Sequence, residues 1–274
     1  MRFVRFTIIG ICLMLSSSFA YAGVWEVSAD HYVGAAIYSE RDTFEGTNVE
    51  SDCKSFYEKV TLNFGDYDKE GLECGVHYGM FFTAGATETW DIDSVQFQTN
   101  DMRFWGLDTS FDVGWAFPIE GISDFCYNPI NMVVTPFVGY RWKFIRFTRD
   151  DFNLMDAIVI TETVDEDFYV NSIDVGGKLD FEIGDKLNLF IKPILGMVIY
   201  NTAYNSVLGS IDGSGGLYFD GTVGLDYAIT DDVTLGLSFR TELQRLQGGE
   251  KDGMIWPDNS LDTYGGNISI KYLF

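Results

Sequence analysis

The stretch YGGNISIKYLF, Tyr264–Phe274, alternates between two kinds of side chain up to the last residue of the sequence. Because successive side chains of a β-strand point to opposite faces, one face of this stretch is aromatic and apolar. That face carries Tyr264, Gly266, Ile268, Ile270, Tyr272 and Phe274. The other face carries Asn267, Ser269, Lys271 and Leu273. The alternation predicts a strand. Because strands of soluble sheets also alternate, the position of this strand at the end of the sequence says more about the class of protein than the alternation does.

This stretch resembles the terminal strand of bacterial outer-membrane β-barrels, in which a final Phe and the preceding aromatic and apolar positions serve as an assembly signal. The matching residues are Gly266, Ile268, Ile270, Tyr272 and Phe274. The resemblance implies a superfamily and a location, but it names no activity. It also implies partners, namely outer-membrane lipid and lipopolysaccharide, and the barrel assembly machinery.

The amino-terminal residues have the pattern of a secretory signal peptide. Arg2 and Arg5 precede an apolar run at Thr7–Leu15, and Ala20–Ala22 is a small-x-small cleavage pattern. The apolar run is too short to cross a membrane as a helix. We therefore expect residues 1–22 to be a cleaved signal peptide. Residues 23–274 are then one barrel domain, exported to the outer membrane of a Gram-negative-type bacterium.

Composition excludes several classes of protein. After the signal peptide, no segment approaches the roughly 20 consecutive apolar residues of a transmembrane helix. Aromatic residues make up 16% of the chain and glycine occurs 29 times, as is typical of barrels with aromatic girdles. A formal net charge of −23 argues against nucleic acid as a ligand. The sequence predicts an all-β fold, a single antiparallel up-and-down transmembrane β-barrel of about ten strands, within a range of about eight to twelve.

Ten alternating segments account for most of the mature sequence. They are residues 25–38, 57–64, 72–87, 104–117, 132–147, 170–183, 187–204, 217–227, 232–247 and 264–274. Periplasmic turns are predicted near 66–70, 118–130, 184–186 and 229–232. External loops are predicted at about 40–55, 88–101, 148–167, 203–214 and 247–261. Short turns on one side and long loops on the other are typical of outer-membrane barrels.

The inward positions of these strands collect acidic and basic residues. The predicted lumen network comprises Asp108, Asp112, Arg141, Lys143, Lys178, Asp180, Glu182, Lys192, Asp220, Asp226, Arg240 and Glu242. Barrels of about eight strands are filled by their own side chains, whereas open porins have roughly sixteen. Ten strands therefore favour a largely filled polar lumen and a structural or surface-interaction role. A narrow diffusion pore for small solutes is the alternative.

A hydrolase at the outer rim is a second alternative, and the sequence disfavours it. Asp91 and Asp93 superficially resemble the paired Asp residues of the omptin proteases, but no histidine follows His77 to supply their Asp-His pair. Outer-membrane phospholipases and lipid A deacylases use a His-x-Ser step, and the windows at His31 and His77 read HYV and HYG. Enzymatic activity is therefore not expected, and no catalytic residue, cofactor or metal is assigned.

The predicted external loops contain acidic clusters and one apolar stretch. Asp150-Asp151 and Asp165–Asp167 could bridge to lipopolysaccharide through divalent ions, but neither has the spacing of a calcium loop, and solvated loops are favoured. Ala157–Thr161 is prone to form a strand and could offer an edge to a surface ligand.

Three cysteines follow the signal peptide: Cys53, Cys74 and Cys126. Because the cell envelope is oxidising, one disulfide is expected. The predicted order of strands places Cys74 and Cys126 at the same periplasmic end, beside adjacent strands, so Cys74–Cys126 is the favoured pair.

Overall fold

This computed structural model describes residues 25–44, 47–66, 70–125, 128–154, 158–207, 209–251 and 254–274, so the predicted signal peptide lies outside the described residues. Among the described residues, no helix is long and apolar enough to cross a membrane. The strands are β1 (Trp25–Phe44), β2 (Thr47–Asp66), β3 (Gly71–Thr83), β4 (Ala86–Ile92), β5 (Val95–Phe125), β6 (Asn128–Leu154), β7 (Ile158–Ile160), β8 (Val164–Ile183), β9 (Leu187–Asn205), β10 (Gly209–Asp212), β11 (Gly215–Ala228), β12 (Val233–Gln247), β13 (Gly249–Lys251), β14 (Met254–Trp256) and β15 (Asp258–Leu273).

The long strands form a closed antiparallel barrel, as predicted. Each pairs with its neighbours in chain order, and β15 pairs with β1 to complete the ring. Within the described residues the wall has ten members: β1, β2, β3 continued by β4, β5, β6, β8, β9, β11, β12 and β15. The Phe274 N–H donates to the Trp25 carbonyl at 2.8 Å, which extends the closing seam. Closure matters because it leaves no free sheet edge within the membrane.

Two ends of the barrel can be told apart. Trp25 and Phe274 lie at one end, here called the terminal end, together with the short turns at 184–186 and 229–232. The opposite, distal end carries the connections from β1 to β2, from β4 to β5 and from β6 to β8. The predicted long loops are absent from two of these distal connections, because β1 ends at Phe44 and β2 begins at Thr47, and β4 ends at Ile92 and β5 begins at Val95.

An apolar belt surrounds the half of the barrel next to the terminal end. Its outward side chains include Phe56, Leu107, Phe111, Val138, Val175, Leu195, Val223, Leu237 and Ile268, all exposed. The belt reaches Ile37 on β1, Phe56 on β2, Phe82 on β3, Trp105 on β5, Phe144 on β6, Tyr169 on β8, Ile199 on β9, Leu217 on β11, Leu243 on β12 and Tyr264 on β15. A transmembrane strand needs only about 9–11 residues, and the belt covers a similar length of each strand.

Beyond the belt, the barrel wall continues and its outer face becomes polar. Exposed or half-exposed ion pairs on this part of the wall are Arg41–Glu50, Arg103–Asp150, Arg146–Asp167 and Arg245–Asp262. Seven of the ten wall members described are therefore about twice as long as a membrane requires or longer, and their distal parts continue the barrel beyond the belt.

The predicted external loops are wrong in extent, because strands run through most of residues 40–55, 88–101, 148–167, 203–214 and 247–261. The predicted turn at 118–130 is also mostly strand, with β5 ending at Phe125 and β6 beginning at Asn128. The prediction followed the lipid-facing alternation, which stops where the outer face becomes polar. The inner face of the same residues is buried, by apolar side chains such as Cys53 and Ile211 and by hydrogen-bonded polar ones such as Glu88, and this burial keeps the strands paired.

Candidate functional site

The barrel lumen is the candidate site, and its side chains form four successive layers from the terminal end to the distal end. We call them the vestibule, the charged layer, the aromatic core and the Arg149 hub. Each layer is built from inward-facing positions of several strands, so its composition follows from the period-two alternation of those strands.

The vestibule is a polar cavity of about 190 Å³. Lys178, Lys192 and Lys271 line it with side chains that are 17–27% exposed, so solvent reaches them. Lys192 lies 3.6 Å from Asp112, and the imidazole of His77 lies 3.0 Å from the same carboxylate. Cations and anions thus alternate around the cavity wall.

The charged layer closes the vestibule from above. It holds four cations, Lys59, Arg141, Lys143 and Arg240, and four anions, Asp108, Asp174, Asp220 and Glu242. Arg141 Nε lies 3.0 Å from Asp174 Oδ2, and Lys59 Nζ lies 2.5 Å from Asp108 Oδ2. Seven of these eight side chains are at most 8% exposed, Arg240 being the exception. Equal numbers of opposite charges let the layer exclude most water without leaving a charge unpaired.

The structure brings most of the sequence-predicted lumen residues together in these two layers. Asp108, Arg141, Lys143, Asp220, Arg240 and Glu242 form ion pairs in the charged layer, and Asp112, Lys178, Asp180, Lys192 and Asp226 form ion pairs in or beside the vestibule. Glu182 is partly exposed near the terminal end of β8. Lys59 was not among the predicted lumen residues, because its strand alternates only weakly, although Tyr57, Lys59 and Thr61 share the inner face.

The aromatic core fills the lumen above the charged layer. Contacts between rings run across the barrel, with centroid distances of 5.8 Å for Tyr57–Phe81, 6.4 Å for Phe81–Phe104, 5.1 Å for Phe104–Phe147 and 5.2 Å for Phe147–Phe168. Trp256 of β14 packs on Phe168 at 5.4 Å. The other buried members are Tyr32, Ala36, Tyr38, Cys53, Met102, Ile145, Val170, Val198, Ala203, Ile211, Leu246 and Leu261.

The Arg149 hub covers the distal side of the aromatic core. Arg149 donates to Glu40 from Nη2 at 2.7 Å, to Glu88 from Nε at 2.6 Å and to Glu166 from Nη1. Ser51 and Asn100 donate to Glu88 at 3.0 and 2.9 Å. Asn205 Nδ2 donates to Glu166 at 2.6 Å, and the Tyr38 hydroxyl donates to Glu40. One guanidinium thus ties together carboxylates from three different strands, β1, β4 and β8.

The hub carries three carboxyl groups for one guanidinium, which affects their protonation. It lies beyond the belt on every strand that supplies it. Burial raises the pKa of Glu40 from 4.5 to about 7, with Glu166 and Glu88 adding to the rise against the opposing charge of Arg149. Burial also raises the pKa of Glu88, but Arg149 and the hydrogen bonds from Asn100 and Ser51 outweigh it, and the net pKa is lowered. Glu40 is therefore the carboxyl group of the hub that takes up a proton near neutral pH.

The carboxylates and the histidines considered for catalysis lie in different parts of the barrel. Asp93 is in the turn between β4 and β5, where its Oδ1 accepts from the Asn48 N–H at 3.0 Å, and Asp91 is nearby on β4. His77 lies in the vestibule, and His31 points outward from β1. Among the described residues, the distal rim therefore has no Asp-His pair.

The predicted acidic clusters divide between the two faces of the wall. Glu166 points inward into the hub, whereas Asp165 accepts from Thr148 Oγ1 and Asp167 pairs with Arg146. Asp101, Asp150 and Asp151 bring carboxylate oxygens within 4.8 Å of one another. Asp150 is also 3.2 Å from Arg103, which offsets part of the negative charge.

The predicted disulfide stays a prediction. Cys74 lies on the outer face of β3 near the terminal end, and Cys126 lies outside the described residues. Cys53 is buried in the aromatic core, and its burial raises the pKa of its thiol to about 12. Such a thiol is poorly nucleophilic.

Comparisons with known proteins support the fold. No family model matches the chain, and no curated protein matches its sequence. Among solved structures, the outer membrane protease OmpT from Escherichia coli matches with a TM-score of 0.59 and 10% identity, over 91% of this chain and 97% of that chain. The translocator domain of the autotransporter NalP from Neisseria meningitidis (TM-score 0.40, 12% identity, 98% and 96% coverage) and the transport unit of the autotransporter AIDA-I from Escherichia coli (0.43, 11%, 93% and 91%) also match. At these identities the likeness concerns the fold alone: the chain is a small β-barrel of the bacterial outer-membrane type.

Proposed function

We propose that this barrel is a closed surface protein of the outer membrane, with a structural or surface-interaction role, and not a channel. The first 22 residues would direct its export and be removed, which amino-terminal sequencing of the mature protein, starting at Gly23, would verify. The proposal concerns the distal half of the barrel, because that half extends beyond the apolar belt.

The single observation that carries the proposal is the filled lumen. A solute entering the vestibule meets the charged layer, then the aromatic core, then the Arg149 hub. Phe81 and Phe147 are at most 1% exposed, and Glu88 is fully buried. Moving a hydrated solute through such a core would require separating packed rings and buried ion pairs at once, which costs many kilocalories per mole.

Planar-bilayer recording tests the closed lumen. We expect the purified, refolded protein to insert without steady single-channel steps. Steady steps that disappear when Lys192 and Arg240 are neutralised would overturn the proposal in favour of a narrow diffusion pore. A heat-dependent shift in gel mobility, recorded on the same sample, verifies that the inserted protein is a folded barrel.

The surface role is supported by the distal strands. Among the described strands, β7 pairs with β6 alone, so its other backbone edge is available to a partner strand. Deleting residues 156–163 removes β7 and leaves the barrel wall in place. We expect this deletion to abolish a cross-linked product formed on cells that carry the wild-type protein. An unchanged set of cross-linked products would contradict a role for this edge.

A further inference from the structure

One basic side chain and one acidic side chain face outward, side by side, within the apolar belt. His31 Nε2 on β1 lies 2.6 Å from Glu58 Oε1 on β2. The outward neighbours of His31 are Ala29 and Val33 along β1, Ile268 on β15 and Val60 on β2. Among the described residues, these are the only acidic or basic side chains on the outer face of the belt.

Glu58 is also surrounded by apolar groups. Phe56 and Val60 flank it on β2, Val33 is its partner on β1, and Phe82 is its partner on β3. Each of these four side chains is at least 39% exposed, which identifies the surroundings as lipid-facing wall. His31 is therefore three outward positions inside Ile37, the last belt residue of β1, and Glu58 is one outward position inside Phe56, the last belt residue of β2.

Such a pair is unfavourable against lipid chains. The side chain of His31 is 51% exposed and that of Glu58 is 28% exposed, so both keep polar atoms on the outer surface. Ionisable groups within a membrane face protein or water far more often than lipid, because lipid satisfies none of their remaining hydrogen-bonding capacity. A protein surface docked over the pair would satisfy it.

Small outward side chains also lie close to the pair. Ala29, Ala35 and Gly266 occupy outward positions here, whereas most outward positions of the belt carry a larger apolar or aromatic side chain. Gly266, Val33 and Glu58 form one row across β15, β1 and β2. A Cβ on Gly266 would meet nothing nearer than Ser238 O at 4.0 Å, so the fold of this barrel does not require glycine there. Small residues allow close approach of two membrane surfaces.

We propose that this patch, centred on His31 and Glu58, is where a second copy of the chain docks within the membrane. The inference rests on the barrel spanning the membrane, as in the proposed function. A two-fold contact is isologous, so each surface meets its own copy. The patch contains one imidazole and one carboxylate. In a two-fold contact, His31 of each copy therefore hydrogen-bonds Glu58 of the other copy.

Energy transfer between donor- and acceptor-labelled copies in lipid vesicles tests the dimer, with the labels at the amino terminus of the mature chain. Wild-type protein is expected to associate as the protein-to-lipid ratio rises. The His31→Glu variant places like charges at the contact and should associate at least tenfold more weakly. Combining His31→Glu with Glu58→His exchanges the two groups and should restore association. The variant with His31→Leu and Glu58→Leu should remain monomeric, whereas Thr109→Leu, a polar-to-apolar change elsewhere in the belt, should associate like the wild type.

The heat-dependent gel shift separates this inference from the proposed function. A folded, inserted wild-type barrel that stays monomeric at every protein-to-lipid ratio would overturn the dimer and leave the closed barrel intact. Equal association of the wild type and the double leucine variant would also overturn it. Loss of the gel shift in wild-type protein would contradict the membrane barrel itself.

Discussion

Arg149 is the residue on which the distal half of the lumen depends most. Its guanidinium is the one cation among three buried carboxyl groups, so its removal leaves them with hydrogen bonds to neutral groups alone. Removing one member of a buried ionic cluster typically costs about 3–5 kcal/mol. We expect Arg149→Met to destabilise the barrel by that amount in urea titrations followed by tryptophan fluorescence in detergent micelles.

Arg103→Met is the matched control. Arg103 lies on the outer face beyond the belt, is 59% exposed and pairs with Asp150 at 3.2 Å. Exposed pairs of this kind contribute about 0–1 kcal/mol. Similar losses of stability in the two variants would show that the hub is solvated and not buried.

Glu40 should make the stability of the barrel depend on pH. Its pKa is raised from 4.5 to about 7 in the folded protein. The folded state therefore binds more protons than the unfolded state between these values, and stability falls as the pH rises through this window. The shift corresponds to a loss on the order of 3 kcal/mol. Urea midpoints measured from pH 4.5 to 7.5 should decrease for the wild type.

Glu40→Gln keeps the shape of the side chain and removes its titration. The variant should have a flatter pH profile between pH 4.5 and 7. Its hydrogen bond from Arg149 is retained through the amide oxygen, so the fold should be unaffected. If the urea midpoints of the wild type and the variant change with pH in parallel, the pH dependence comes from another group.

At the scale of strands, the barrel wall was predicted well because its outer face is apolar at nearly every alternate position. Ile268 and Val175 are examples, and this pattern identified the ten segments. The distal extensions followed no such pattern, since their outer face meets water. Where the belt ends, apolar residues occupy both faces of the strand, as at Phe81–Phe82 and Phe104–Trp105, and the inward member of each pair belongs to the aromatic core.

The closing seam between β1 and β15 depends on two facing glycines. Gly34 pairs directly with Gly265, and a Cβ on Gly265 would lie 2.3 Å from Val33 O and 2.7 Å from the Gly34 Cα. The side chain of Tyr32 also covers Gly265. Gly265→Ala should therefore force the two strands apart and cost about 1–3 kcal/mol.

Gly266→Ala is the control for the seam, since it alters the next residue and points into open space. We expect it to change stability by less than about 0.5 kcal/mol. Urea titrations and the heat-dependent gel shift of both variants distinguish the cases. Equal losses of stability in Gly265→Ala and Gly266→Ala would mean that β1 and β15 can move apart without a loss of free energy of unfolding.

At the scale of the whole molecule, the outer surface and the lumen differ in character. The belt gives the outer surface an apolar band of membrane-spanning height, and the charged layer, the aromatic core and the Arg149 hub fill the lumen. The predicted filled lumen was expected to be polar throughout, and the vestibule and the charged layer have that character. The aromatic core does not, because the distal barrel has water on its outside and must bury apolar side chains inside, as a soluble protein does.

This inversion predicts opposite roles for two phenylalanines of the same strand. Phe104 faces inward on β5, is 3% exposed and contacts Phe147 at 5.1 Å, whereas Phe111 faces lipid and is 48% exposed. Phe104→Ala opens a cavity that its packed neighbours cannot fill, at a cost of about 3–5 kcal/mol. Lipid chains refill the space left by Phe111→Ala, so its cost should be less than half as large. Urea titrations of both variants in one lipid give the comparison, and a larger effect for Phe111→Ala would show that the stability of the barrel comes from its belt and not from its core.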